Sequence, residues 1–158
     1  MTQKAEQYKV LRAKACGDDN SELFVALSEL DKRSVGADGW SAESFRSEAE
    51  KDNGYVLYIT ENDRVIALLT AYYAVGEGDI TSVAVAEDYR RRGLAQRLIA
   101  ELEELLPEDA EEIFLEVRES NAPATGLYEK CGFENLSVRK NFYDNPRENA
   151  VVMRKKLK

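Results

Sequence analysis

Glu116 is the first residue whose position suits acid–base chemistry. It lies in residues 111–119, where apolar and other residues alternate, which predicts a β-strand with Glu116 on the face that carries Phe114 and Arg118. A carboxylate on an interior strand is costly unless it finds partners or changes its pKa, and a general base is made in this way. The alternative is an exposed glutamate paired with Arg118, and the pattern alone favours that alternative slightly.

Tyr128 is the second such residue, as a general acid. Thiol and phenol pKa values lie within about two units of each other, so a phenol could protonate a departing thiolate. The alternative is a core aromatic, which the residue type alone favours. Asn121 is expected to cap the short helix that carries Tyr128. Cys131 has no histidine partner, so we expect a packed thiol and not a nucleophile.

Composition excludes several other classes of site. The 158 residues include no histidine, which removes Ser-His-Asp and Cys-His catalysis and histidine metal sites, and we expect no metal. The cysteines, Cys16 and Cys131, are too few for a disulfide framework, which favours the reducing cytoplasm. A formal charge of -8 argues against nucleic acid or anionic membranes as partners and is compatible with a basic partner.

A phosphate cradle is predicted where an apolar strand ending near Val85 runs through Arg90, Arg91 and Arg92 into Gly93 and a long amphipathic helix. The N–H groups that begin a helix, together with its dipole, bind anions, and Gly93 lets a ligand approach the backbone. Three arginines at the positive end of a helix are unfavourable unless an anion offsets them. The alternative is a basic helix end in solvent.

The cradle resembles the acetyl-CoA signature of the GCN5-related N-acetyltransferases (GNAT). Its residues, Arg90-Arg91-Arg92-Gly93-Leu94-Ala95, follow a strand and open a helix, as in that family. The resemblance implies a fold, a co-substrate and the residues that bind it. The fold is α/β, and the co-substrate is acetyl-CoA. The implied binding residues are Ser82, Val83, Ala84, Val85, Arg90, Arg91, Arg92, Gly93, Leu94, Ala95 and Asn121.

The segment around Glu116 is similar to the bacterial ribosomal-protein-alanine N-acetyltransferases, the RimI type. The matching residues are Leu115-Glu116-Val117-Arg118, Ser120-Asn121, Leu127-Tyr128-Glu129 and Gly132-Phe133. The resemblance implies direct acetyl transfer within a ternary complex, with Glu116 as general base and Tyr128 as general acid. It also implies a basic protein N-terminus, that of a ribosomal protein, as acceptor, with peptide-binding walls that include Trp40, Asn141 and Tyr143.

Two other functions remain open at this point. One is acetylation of a small-molecule amine, and the other is non-catalytic binding of acyl-CoA. The presence of both Glu116 and Tyr128 beside the cradle counts against a module that only binds.

The elements that must position these residues follow from hydrophobic periodicity. Helices are predicted near 19–32, at 92–106 and at 122–130. A further helix is predicted to begin after Ser41, which can cap it, with Trp40 packed on Phe45. Glycines 76 and 78 are expected to form a turn. Strands are predicted at 8–15, 55–60, 64–75, 79–86, 111–119, 133–143 and 150–156. With the resemblance, these elements predict one domain, residues 1–158, of the GNAT fold. Its single mixed, mostly antiparallel sheet has about seven strands flanked by about four helices.

Overall fold

The computed structural model describes residues 7–14 and 21–158. Within them, the chain forms four α-helices and seven strands. The helices are α1 (Ser21–Val35), α2 (Ala42–Glu50), α3 (Leu94–Leu105) and α4 (Ala122–Lys130). The strands are β1 (Leu11–Arg12), β2 (Gly54–Glu61), β3 (Arg64–Ala74), β4 (Glu77–Val85), β5 (Glu112–Arg118), β6 (Glu134–Tyr143) and β7 (Glu148–Lys156). The strand order in the sheet is β1-β2-β3-β4-β5-β7-β6.

The sheet is mixed, as predicted. The pairings of β1 with β2, β2 with β3, β5 with β7 and β6 with β7 are antiparallel, whereas β4 runs parallel to β5. The parallel pair is joined through α3, because a parallel connection needs a crossover. The predicted fold class is therefore confirmed. No helix among the described residues is long and apolar enough to cross a membrane.

The chain forms two compact units, Met1–Tyr72 with Ser82–Leu105 and Tyr73–Thr81 with Leu106–Lys158. In the first unit the apolar faces of α1, α2 and α3 are buried together with β2 and β3. The fully buried side chains there include Phe24, Leu27, Phe45, Leu57, Ile59, Leu68, Leu94, Leu98 and Leu102. In the second unit, α4 and the inward face of β5 and β7 supply the core, with Ile113, Leu115, Phe133 and Met153 almost without exposure.

The predicted start of α2 is confirmed in detail. The Ser41 side chain accepts a hydrogen bond from the Ser44 backbone N–H, and the rings of Trp40 and Phe45 lie 5.3 Å apart. The cap satisfies an orphan N–H, and the ring pair fixes the angle at which the chain enters the helix.

Some sequence predictions need correction, and others fall outside the described residues. Gly78 lies within β4 and not in the turn, which Val75 and Gly76 form with positive φ. The helix predicted at 92–106 spans Leu94–Leu105, and its last residue, Leu105, is 37% exposed. Cys16, the end of the predicted first strand at residue 15 and the predicted helix start near residue 19 lie outside the described residues.

Candidate active site

Glu116 lies on β5, opposite Val152 of β7. Along β5 the odd-numbered residues are buried and the even-numbered ones are partly exposed, so Glu116 stands on the face that reaches solvent. Its side chain is 29% exposed. The predicted alternation is confirmed, and it leaves this carboxylate half-buried and accessible to a ligand.

Charged neighbours act on Glu116 in opposite directions. Burial raises the pKa of its carboxyl above the ordinary value, and the nearby Asp79 carboxylate raises it further. The guanidinium of Arg139 on β6, with Nη1 3.1 Å from Glu116 Oε1, lowers the pKa. The net pKa is raised, which brings this carboxylate nearer to the value that a general base needs at neutral pH.

Arg118 is not the partner of Glu116. Its guanidinium donates hydrogen bonds to the backbone carbonyls of Asp144 and Pro146, at 3.1 and 3.0 Å. It also lies 3.6 Å from a carboxylate oxygen of Glu148 and 4.4 Å from the ring centre of Tyr143. The alternative of an exposed Glu116 paired with Arg118 is therefore wrong. Arg118 instead holds the connection between β6 and β7 in place.

Tyr128 is a buried residue of α4, 9% exposed, and its ring meets Phe133 edge-on. Burial raises the pKa of its phenol to about 12, with Cys131 and Tyr143 adding to the effect. The phenol therefore stays protonated at every physiological pH and can donate a hydrogen bond. The gap to an ordinary thiol pKa is then about 3.5 units, wider than the roughly two units between the unperturbed groups.

The other candidates in the second unit lie at the ends of α4 and β6. Asn121 caps α4, because its Oδ1 accepts from the Ala124 backbone N–H at 3.2 Å. Asn141 has a positive φ of 55° and donates its backbone N–H to the Asn149 side chain. Tyr143 is partly buried, and burial together with the Glu116 carboxylate raises the pKa of its phenol.

The cradle in the first unit is built from the main chain. Arg91 and Gly93 both have positive φ, 64° and 81°, in the turn before α3. Turns in which left-handed residues alternate with right-handed ones can form anion-binding concavities from successive N–H groups. The bond from the Arg97 N–H to the Gly93 carbonyl, 3.0 Å, begins the helical pattern. The N–H groups that precede it have no partner within the helix and can receive a phosphate. Arg91 in this conformation carries backbone strain, which fits a functional turn.

Two of the three cradle arginines are engaged with the protein. Arg90 Nε donates to the Val85 carbonyl at 3.1 Å, and Arg92 donates to the Tyr8 hydroxyl at 3.3 Å while lying over the ring of Tyr89. Contacts within the chain therefore already stabilise part of the positive charge from which the sequence predicts a bound anion. The backbone N–H groups are the stronger reason to place a phosphate here.

Trp40 and Ser82 meet at one buried carboxylate of α1. Asp31 is 1% exposed; its Oδ2 accepts from the Trp40 backbone N–H at 2.7 Å, and its Oδ1 accepts from the Ser82 hydroxyl at 2.6 Å. Farther along β4, Ala84 is buried whereas Val83 and Val85 are partly exposed. Ser82 and these three residues follow the segment Glu77–Ile80 that pairs with β5.

Sequence reasoning missed three functional neighbours: Arg139, Asp79 and Asp31. The first two act on Glu116 through strand pairings that local periodicity does not encode. Asp31 had a signal, because it follows the apolar Leu27 and Leu30 on the face of α1 that the sequence predicts to be buried. Among the described residues, no cluster of three or more acidic or cysteine side chains is placed to hold a metal ion.

The fold and these sites define an acetyltransferase of the GNAT class. The model of the acetyltransferase (GNAT) family matches residues 13–133, so the chain belongs to that family. It is an N-acetyltransferase, and its co-substrate is acetyl-CoA.

The chain is similar to individual N-acetyltransferases in sequence and in structure. The chain is 34% identical over 118 residues to the [ribosomal protein bS18]-alanine N-acetyltransferase of Escherichia coli K12, covering 72% of this chain and 78% of that one. It is 44% identical over 85 residues to an N-alpha-acetyltransferase of Saccharolobus solfataricus, covering 52% and 50%. The crystal structure of the ribosomal-protein-S18-alanine N-acetyltransferase from E. coli superposes with a TM-score of 0.77 and 25% identity, over 95% of this chain and 94% of that one.

Proposed function

We propose that this enzyme acetylates the N-terminal α-amine of a protein that begins with alanine or another small residue, and that the acceptor is a ribosomal protein. The observation that carries the proposal is the half-buried Glu116, whose pKa is raised and which lies in the same unit as Tyr128 and Tyr143. The names of two relatives support the choice of acceptor, because the E. coli relative is a [ribosomal protein bS18]-alanine N-acetyltransferase and the S. solfataricus relative is an N-alpha-acetyltransferase.

An α-amine suits a single carboxylate base. Its pKa is about 8, whereas that of a lysine side chain is about 10.4, so lysine needs roughly 3–4 kcal/mol more help toward deprotonation. The chain has no histidine to supply that help. Glu116, with its raised pKa, is suited to accept the proton of an α-ammonium, directly or through a water molecule.

Direct attack of the amine on the thioester needs no acyl-enzyme. In this mechanism the N–H groups near Val83 and Val85 polarise the thioester carbonyl, and Tyr128 donates to the departing thiolate. Because burial raises the pKa of Tyr128 to about 12, full proton transfer to an ordinary thiolate is uphill by about 5 kcal/mol. We therefore propose that Tyr128 acts first as a hydrogen-bond donor to the developing charge.

Acetyl-CoA is proposed to bind with its pyrophosphate on the main chain of the turn before α3. The positive φ of Arg91 and Gly93 and the first-turn N–H groups of α3 support this assignment. Asn121 uses Oδ1 to cap α4, so a contact with acetyl-CoA would use its Nδ2. The family match spans parts of both compact units, which supports one catalytic domain.

The acceptor is expected to carry a basic tail. The net charge of -8 attracts a positively charged acceptor. Salt weakens this attraction, because at moderate ionic strength charges more than about 10 Å apart are largely screened from each other. The proposed contacts of the acceptor are Trp40, Asn141 and Tyr143. The acceptor KM should therefore rise with salt, and it should rise most for the most basic tails.

A peptide competition tests the proposal. Peptides that begin with a free alanine compete with matched peptides that have a blocked N-terminus and one internal lysine, at low and high salt. Acetylation should fall on the free α-amine, and salt should weaken it. Preferential acetylation of the blocked peptide would falsify the assignment, and faster acetylation of a polyamine would replace it with a small-amine function.

A further inference from the structure

The segment that enters α2 is held against α1 by three contacts. Trp40 is fixed at both backbone groups: its N–H donates to Asp31 Oδ2 at 2.7 Å, and its carbonyl accepts from the Ser28 hydroxyl at 2.7 Å. Just before it, Gly39 lies so close to α1 that an added Cβ would stand 2.8 Å from the Lys32 backbone. This segment therefore has one position on α1, and the Trp40 ring is packed on Phe45.

The same carboxylate also reaches β4. Asp31 Oδ1 accepts from the Ser82 hydroxyl at 2.6 Å, so two oxygens of one side chain serve two different chain segments. Asp31 is 1% exposed, and a carboxylate removed from water is costly unless hydrogen bonds compensate it. Both bonds are short and charge-assisted, so they constrain the positions of the Trp40 N–H and the Ser82 hydroxyl relative to Asp31.

We infer that Asp31 is a positioning residue for acetyl transfer, which ties the Trp40 segment to β4 at Ser82. This inference rests on the proposed function, in which Trp40 contacts the acceptor and the residues that follow Ser82 polarise the thioester. One buried side chain then sets the distance between the wall that holds the amine and the strand that holds the acetyl group. Asp31 itself contacts neither substrate.

The chemistry of the pair predicts how substitutions differ. Asp31→Ala removes both acceptors. Asp31→Asn keeps both bonds, because the amide oxygen accepts from the Trp40 N–H and the amide nitrogen donates to the Ser82 hydroxyl, which can also accept. Ser82→Ala breaks only the bond to β4 and leaves Trp40 on α1.

Trp40 fluorescence provides a readout that does not depend on activity. Trp40 is the single tryptophan of the chain, so acrylamide quenching reports on this segment alone. Asp31→Ala should increase the quenching constant while the far-UV circular dichroism stays native, and Asp31→Asn should match the wild type. Unchanged quenching in Asp31→Ala would overturn the inference.

Steady-state kinetics with an N-terminal alanine peptide test the positioning role. Asp31→Ala should raise the acceptor KM about tenfold, the effect of losing one hydrogen bond to a charged group, with little change in the KM for acetyl-CoA. Asp31→Asn should restore the acceptor KM. A loss confined to kcat, or an unchanged acceptor KM, would mean that Asp31 contributes only to stability and would overturn the inference.

The experiments distinguish two further outcomes, misfolding of Asp31→Ala and failure of the proposed function. If Asp31→Ala does not fold, Ser82→Ala replaces it, and an acceptor KM equal to that of the wild type would then overturn the link to β4. If the wild-type enzyme acetylates no N-terminal peptide, the proposed function fails. The quenching comparison between Asp31→Ala and Asp31→Asn still decides whether Asp31 holds Trp40.

Discussion

The ionisation of Glu116 can be moved in both directions by single substitutions. Arg139→Gln removes the cation that lowers the pKa of Glu116, so that pKa should rise and the acid limb of the rate profile should move to higher pH. Asp79→Asn removes an anion that raises the same pKa, so the limb should move to lower pH. The base works only when it is deprotonated, which fixes both signs.

The size of the shift follows from the geometry of the ion pair. The charges are 3.1 Å apart, but the Arg139 side chain is 59% exposed, so solvent screens the interaction. Two charges in this range interact by about 1 kcal/mol in a water-like medium, and about 1.4 kcal/mol corresponds to one pH unit. We expect the acid limb to move by about half a unit to one unit in Arg139→Gln. The shift should shrink at high salt.

The assay is kcat/KM for one N-terminal alanine peptide across the acid and neutral range at fixed ionic strength. The titration of the peptide amine is common to all variants, so only the limb that belongs to Glu116 should move. Lys140→Gln is the matched control, because it removes the same charge from the next residue of β6. Glu116→Gln should abolish the limb. A limb that moves in the same direction in Arg139→Gln and Asp79→Asn, or in neither, would refute Glu116 as the base.

Two further substitutions test the other proposed roles. Gly93→Val should abolish the rise in melting temperature caused by acetyl-CoA, about 5–10 °C at 100 times the dissociation constant, whereas Gly36→Val should keep it. Gly36 shares the positive φ of 81° but lies outside the cradle, and an equal shift in both variants would contradict the assignment. Tyr128→Phe should lower kcat by about 10²–10³-fold, the loss of a hydrogen-bond donor to developing charge, with acetyl-CoA affinity nearly intact, and a loss below about threefold would exclude Tyr128 as the donor.

Local features of the fold could be predicted from the sequence because their causes are local. The cap at Ser41, the ring contact of Trp40 with Phe45 and the bounds of α4 all depend on residues within one or two turns of each other. The alternation along β5 likewise placed Glu116 on the partly exposed face. The Gly78 prediction failed because a glycine within a strand gives the same local signal as one in a turn. In the structure, a Cβ at Gly78 would lie 3.1 Å from the Leu106 side chain.

The partners of the charged residues could not be predicted in the same way. Arg118 is two residues from Glu116 and on the same face, so it was the natural candidate for an ion pair. The pairing of β6 with β7 and of β7 with β5 brings Arg139 to Glu116 instead. Arg118 donates hydrogen bonds to the backbone carbonyls of Asp144 and Pro146. Which cation reaches a carboxylate on a strand depends on the order and register of the strands in the sheet. The sequence of that one strand determines neither.

Asp31 shows how a local signal can acquire a functional meaning only from tertiary structure. On α1 it falls beside Leu30 on the buried face, where periodicity marks it as an anomaly, since a charged residue there must have partners. Its partners lie 9 and 51 residues away along the chain. Each is next to a group with a proposed role in the reaction, the Trp40 ring and the main chain of β4. A role in stability alone predicts that Asp31→Ala unfolds more easily, because the Trp40 N–H and the Ser82 hydroxyl lose their acceptor, while the folded enzyme keeps its acceptor KM. A role in setting the distance between two binding walls predicts a raised acceptor KM in Asp31→Ala and a restored acceptor KM in Asp31→Asn.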